Sequence, residues 1–317
     1  MSKQIRAGFD LGLAMVLVGS SVVAGKVIIQ IFPVHLASFL RYLIALLVLL
    51  PLAFKEISQL KNVSRSDWKK IILMSFCGQV AFSLFLLWGL MLTTASDAGL
   101  ITGTTPAWVA LVAWLVLKEK MTRRVVLGVA MSLAGILLIS GQAQTVGQGF
   151  NLTRLLGDLL IAGAVLGEAF FLLLKKTLQK PFPPLLLSFV MTVLGVAMFL
   201  PMALVQVKGF DFRLVGTSQW LALLHHGIFI TAGAYILWFR GVGQVPGALA
   251  GIITAIMPLS AVCLSVLFLG EPMTWSLAFS GVLILGAIFC MTPLNLKERG
   301  SWLKAVANLR ATAIFKK

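Results

Sequence analysis

The chain has 317 residues, of which 59% are apolar and only 11% charged, with a net charge of +16 and a mean hydropathy of +1.01. A soluble domain of this length carries about a quarter charged residues to keep its surface hydrated, so a water-soluble globule is excluded. The basic excess does not form the aromatic-interleaved patch of a nucleic-acid binder; Lys and Arg stand in short clusters between apolar runs and report topology instead. Cys77, Cys263 and Cys290 all fall inside apolar runs without CxxC or Cys/His spacing, which argues against a disulfide framework and against a metal site.

The basic start, Lys3 and Arg6, leads into an apolar run too long for the core of a signal peptide, and the first helix reads as a retained anchor. A helix needs about 20 apolar residues to cross about 30 Å of hydrocarbon. By that rule the chain is an all-α membrane protein with spans at 9–31, 33–53, 71–92, 97–117, 125–141, 157–174, 184–206, 219–240, 247–269 and 275–293. With the N-terminus inside, 21 Lys and Arg fall in the start, 54–70, 118–124, 175–180, Arg240 and the tail, against three outside, Arg154, Lys208 and Arg213. That asymmetry fits an inner (plasma) membrane with both termini cytoplasmic. Trp68, Trp88, Trp220, Trp238 and Trp275 fall near span ends, as interfacial anchors do.

The chain also repeats itself. Trp68, Gly99, Thr102, Pro106 and Glu119 recur 152 residues later as Trp220, Gly251, Thr254, Pro258 and Glu271. Each repeat holds five spans, an odd number, so the second copy is expected to enter the membrane upside down. Residues 1–145 form the first repeat, 150–293 the second, and 294–317 a basic cytoplasmic tail. Two inverted five-helix repeats imply two related gates and alternating access.

The stretches "VGSSVVAGKVI", "ASFLRYLIALLVLLPLA", "LTTASDAGLITGTTPAWVALVAWLVLKEKMT" and "IITAIMPLSAVCLSVLFLGEPMT" resemble EamA-type permeases of the drug/metabolite transporter superfamily, over about Leu11 to Met291. The resemblance implies a central cavity between the halves and export or exchange of amino acids and similar metabolites. Glu168, in "LGEAFFLLLKK", stands where relatives often carry an aromatic or small residue.

Ionisable groups within hydrocarbon cost several kcal/mol and mark a pathway or a partner. Lys26, Arg41 and Glu168 qualify. Lys26 and Arg41 fall in the outer half, and Glu168 near mid-depth. For Lys26 the readings are snorkelling or substrate contact; for Arg41, a structural ion pair or substrate contact. Glu168 reads as a pathway residue or a buried partner of Lys26 or Arg41. Gln79, Ser20, Ser21, Thr102, Thr104 and Thr105 are near mid-depth, with bonds to their own helix carbonyls as the competing role. Trp108 and Tyr235 are candidate cavity walls or packing residues, and His225 and His226 are expected at the interface. Pro106 and Pro258 interrupt matching spans and are candidate hinges. Gly99/Gly103, Gly163/Gly167 and Gly243/Gly247/Gly251 are assigned to helix packing.

In the tail, Trp302, Val306, Leu309 and Ala313 recur at helical spacing, which suits either an interfacial helix on anionic lipid or a frayed segment. The expected partners are a small-molecule metabolite, membrane lipids and protons as a coupling ion, with no cofactor and no nucleic acid. The reading that follows is a secondary exporter of amino acids or related compounds. The alternative on the same scaffold is a flippase for a lipid or lipid-linked precursor. A membrane enzyme lacks an HExxH motif or an assembled Ser/His/Asp set, and a primary pump lacks a GxxxxGK[ST] loop.

Overall fold

Five helices start where the sequence supplies a capping side chain. In the computed structural model, residues 3–141, 151–179, 182–242, 244–245 and 247–292 are described; the tail, Lys180 and Gly243 lie outside them. The helices are α1 (Lys3–Ile28), α2 (Val34–Ala53), α3 (Arg65–Leu92), α4 (Ala95–Thr102), α5 (Thr105–Leu117) and α6 (Arg123–Ser140). They continue as α7 (Leu152–Lys176), α8 (Pro184–Val207), α9 (Thr217–Val242), α10 (Gly247–Thr254), α11 (Ile256–Leu269) and α12 (Trp275–Met291). Ser64, Thr94, Thr122, Asn151 and Thr274 each accept the N–H three residues on, which satisfies one orphan donor at the start of α3, α4, α6, α7 and α12.

Among the described residues eight helices are long and apolar enough to cross a membrane, the run Leu249–Leu269 through α10 and α11 being one. The pair α4–α5 makes a ninth if counted as one span, bent by 45° across Gly103 and Thr104. The tenth apolar stretch, α12, has 17 residues and is shorter than the rest. Outward faces carry Leu137, Val205, Leu267 and Phe268, large apolar side chains exposed as in a lipid-facing surface.

The two halves share their irregularities. Both α3 and α9 contain π-helical turns, at Phe76–Ala81 and His226–Ala234. The breaks between α4 and α5 and between α10 and α11 also correspond. These breaks correct the expectation that Pro106 and Pro258 interrupt helices. Pro106 is the second residue of α5 and Pro258 the third of α11, positions where a missing N–H costs no helical bond. The bends lie just before them.

Most helix pairings recur when the halves are exchanged: α2 packs on α8, α6 on α12, α1 on α11 as α7 on α5, and α3 on α7 as α9 on α1, whereas α4 packs on α11 without a matching α10–α5 pair among the described residues. Glycines set the closest approaches. A Cβ on Gly103 would come within 2.8 Å of Pro258 Cβ, and one on Gly99 would overlap Ala261 Cβ, so α4 lies directly against α11. Gly19 brings α1 just as close to Met257, Ser260 and Ala261.

Candidate functional site

Polar side chains gather in two places inside this apolar bundle. The first is midway along the helices, where α2, α3 and α9 meet. Arg41, 3% exposed, projects from α2 and donates from Nη1 to His226 Nε2 at 2.9 Å and from Nη2 to Ser83 Oγ and, at 3.3 Å, to the Tyr42 hydroxyl. Because an arginine can only donate, His226 Nε2 must offer its lone pair. The ring is therefore neutral with its proton on Nδ1, which faces Thr231 Oγ1 at 3.4 Å, while Thr231 donates to the His226 carbonyl at 3.0 Å.

Tyr42 and Ser83 lie 3.0 Å apart, and Ser83 donates to the Gln79 carbonyl. Ser75 lies 3.3 Å from Gln79 Oε1 and donates to Met191 O at 3.2 Å, which ties the cluster to α8. Among the described residues no carboxylate pairs with Arg41, and its Nε–H is buried without an acceptor. A buried cation without an anion is costly, and the three hydrogen bonds to His226, Ser83 and Tyr42 offset only part of that cost.

Glu168 lies on α7 and meets Thr105 of α5: their Oε2 and Oγ1 are 2.8 Å apart, and the same hydroxyl lies 2.7 Å from Thr102 O. One hydroxyl proton cannot serve both acceptors fully. The Thr105 proton is therefore shared between Glu168 Oε2 and Thr102 O. Tyr235 on α9 packs partly buried against the apolar cluster that holds Phe171, Met191 and Ala232.

The second cluster closes one end of the bundle, the end where α3 stops and α4 starts. Lys26 Nζ donates to Leu90 O and Thr93 O, at 2.5 and 2.6 Å, the carbonyls of an ending helix. Glu271, from the loop before α12, accepts the first N–H groups of α4, Ala95 and Ser96, at 2.7 and 2.8 Å. Arg154 pairs with Asp97 at 2.6 Å. Asp158 accepts from Thr93 at 2.5 Å and Ser140 at 2.8 Å.

Of the candidates read from sequence, Arg41 and Gln79 join one cluster, Glu168 and Thr105 bond each other, and Tyr235 packs against an apolar cluster. Lys26 belongs to the other cluster, where it bonds helix-end carbonyls and does not pair with Glu168. Thr102 bonds its own helix, at Gly99 O. Trp108 packs partly buried among apolar side chains of α7. His226 is corrected from an interfacial position to a buried one, because its neutral ring accepts from Arg41. His225 meets Ser20 at 2.9 Å. Sequence reading missed Tyr42, Ser83 and Thr231, which look like ordinary span residues, and Asp97, Arg154 and Asp158, which sit at span ends. Glu271 carried a signal, its recurrence from Glu119. Among the described residues no three His, Cys, Asp or Glu side chains converge to hold a metal.

With eight helices long and apolar enough to cross a membrane among the described residues, the fold is that of a multi-pass membrane protein. The chain belongs to the EamA-like transporter family, which it matches twice, at residues 11–141 and 155–292. It is 35% identical over 291 residues to an uncharacterized transporter, YetK, of Bacillus subtilis (strain 168), covering 91% of this chain and 87% of that one. It is 25% identical over 285 residues to an uncharacterized transporter of Archaeoglobus fulgidus, covering 89% and 96%. One solved crystal structure superposes with a TM-score of 0.62 at 20% identity, over 92% of this chain and 97% of the other, a likeness of fold.

Proposed function

We propose that the protein is a secondary carrier that exports amino acids or related zwitterionic metabolites across the inner (plasma) membrane by alternating access, with both termini cytoplasmic. Ten spans form two oppositely inserted five-helix units. Support for the inversion comes from the run α4–α5: Glu271 bonds its first residues, whereas Lys118 and Glu119 follow its last. Equivalent loops of the two halves thus stand at opposite ends of one transmembrane run.

The observation that carries the substrate class is Arg41, buried with, among the described residues, a free Nε–H and no acid partner. A guanidinium fork binds a carboxylate through two parallel bonds. Glu168, held by Thr105, receives the amino group of the same molecule or the coupling proton. Gln79 and Trp108 border the path. Pro106 and Pro258 lie beside the bends about which the halves rock.

In reconstituted vesicles, wild-type protein is expected to exchange labelled amino acids, and Glu168→Gln to lower the rate about 100-fold while remaining folded. Wild-type rates in that variant would remove Glu168 from the mechanism. Lipid scrambling without solute exchange in the same vesicles would replace the carrier with a flippase.

A further inference from the structure

The loop after α5 and the loop after α11 are built alike, residue for residue, 152 positions apart. Leu117 and Leu269 end the helices, and the next residues, Lys118 and Gly270, both turn left-handed, with φ of 54° and 66°. The following N–H groups, of Glu119 and Glu271, point back to Ala113 O and Ser265 O at 3.3 and 3.4 Å. This is the closure a left-handed helix stop makes. Thr122 and Thr274 then cap α6 and α12. That Lys118 keeps the left-handed turn without being glycine, as no other described residue does, shows how closely the two loops agree.

The loops differ in what the glutamate does. Glu271 holds Ala95 and Ser96, the first two residues of α4, by two short bonds. At the same spacing the counterparts of Ala95 and Ser96 are Gly247 and Ala248, the first two residues of α10. Glu119 is exposed, and among the described residues its carboxylate accepts no hydrogen bond. One end of the bundle is latched and the equivalent contact at the other end is unmade.

We propose that Glu271 and Glu119 are the two gate residues of this carrier. Each is a carboxylate latch that closes one end of the pathway by capping the broken helix of the opposite half, and the two close in alternation. The proposal rests on the alternating-access reading above. A carboxylate suits the task because it takes both N–H groups at a helix start and is attracted by the positive end of the helix. The helix it grips is the short outer piece of a bent run, so releasing the grip frees that piece to move about the bend at Gly103–Thr104 or Ala255. When Glu271 lets go of Ala95 and Ser96, Glu119 engages the N–H groups of Gly247 and Ala248.

The test is pulsed electron–electron distance measurement on protein in nanodiscs, with Cys77, Cys263 and Cys290 replaced. Spin labels at Met91 and Met273 report the Glu271 end, and labels at Lys120 and Gln244 the opposite end. Glu271→Ala is expected to shift the population about tenfold towards a long Met91–Met273 and a short Lys120–Gln244 distance. Glu119→Ala, a change at an exposed residue that leaves folding untouched, is expected to shift it the other way, and the double variant to fall between. Shifts in the same direction, or none with Glu119→Ala, overturn the latches. One unmoving distance at each end in every variant, with and without amino acid, overturns alternating access itself.

Discussion

Arg41 and His226 meet at 2.9 Å in the interior of the protein, and the histidine accepts. The ring spreads no counter-charge, so the guanidinium keeps its full positive charge away from water. An uncompensated buried charge is destabilising, and well-packed apolar side chains in the place of buried ion pairs are often neutral or stabilising. Arg41→Met is therefore expected to raise thermal stability by about 1 kcal/mol and to abolish exchange in vesicles. A loss of stability would show that Arg41 serves the fold instead of the solute.

Arg41→Lys keeps the charge and loses the fork. Transport is expected to fall about tenfold, mainly through KM, because one ammonium cannot match two carboxylate oxygens. Initial rates over a concentration series would check this; an unchanged KM would place the carboxylate elsewhere.

Lys26 ends α3 by binding two of its last carbonyls. Lys26→Met leaves both without that donor and is expected to cost about 1–3 kcal/mol of stability, with Lys26→Arg restoring most of it. Thermal unfolding in detergent reads the difference. A Met variant as stable as the wild type would mean that the carbonyls find other donors.

Gly99→Ala sets a methyl group against Ala261 Cβ, the only side chain close enough to clash. The variant is expected to lose about 1–3 kcal/mol, and Ala261→Gly to recover it in the double variant. Failure of that rescue would place the strain outside the α4–α11 contact.

Side-specific labelling of cysteines at Lys120 and Met273 checks the insertion of the two halves. Impermeant reagent outside intact cells is expected to reach Met273→Cys and not Lys120→Cys. Reaction of both from one side would end the inverted arrangement.

The architecture was legible wherever hydrophobic length or repetition carried it: the apolar stretches, the twofold repeat and the packing role of Gly99 and Gly103 all read directly from the chain. Arg41, Gln79 and Glu168 stood out because polar groups are rare at their depth. Their neighbours did not, since Tyr42, Ser83 and His226 acquire meaning only when helices far apart in sequence meet. Pro106 and Pro258 misled for a different reason: proline announces that a helix is disturbed, and only the backbone tells whether it breaks a helix or begins one. Asp97, Asp158 and Arg154 passed unnoticed at span ends, where charge is ordinary, although they fold inward onto one another.

The wide turn at Phe76–Ala81 sets an angular phase between the two parts of α3. A π-helical turn holds one residue more than an α-helical turn, and each residue advances a helix by about 100°. Removing that surplus residue would let 76–81 close as an ordinary helical turn and leave Phe82–Leu92 close to its present phase. Removing a residue from the regular turns of Arg65–Ser75 has no such buffer and would rotate everything beyond it by about 100°, swinging Ser83 away from Arg41 and turning Leu86 and Leu90 out of the interior. The wide turn thus takes up an extra residue while both parts of one rod keep their faces towards a common centre.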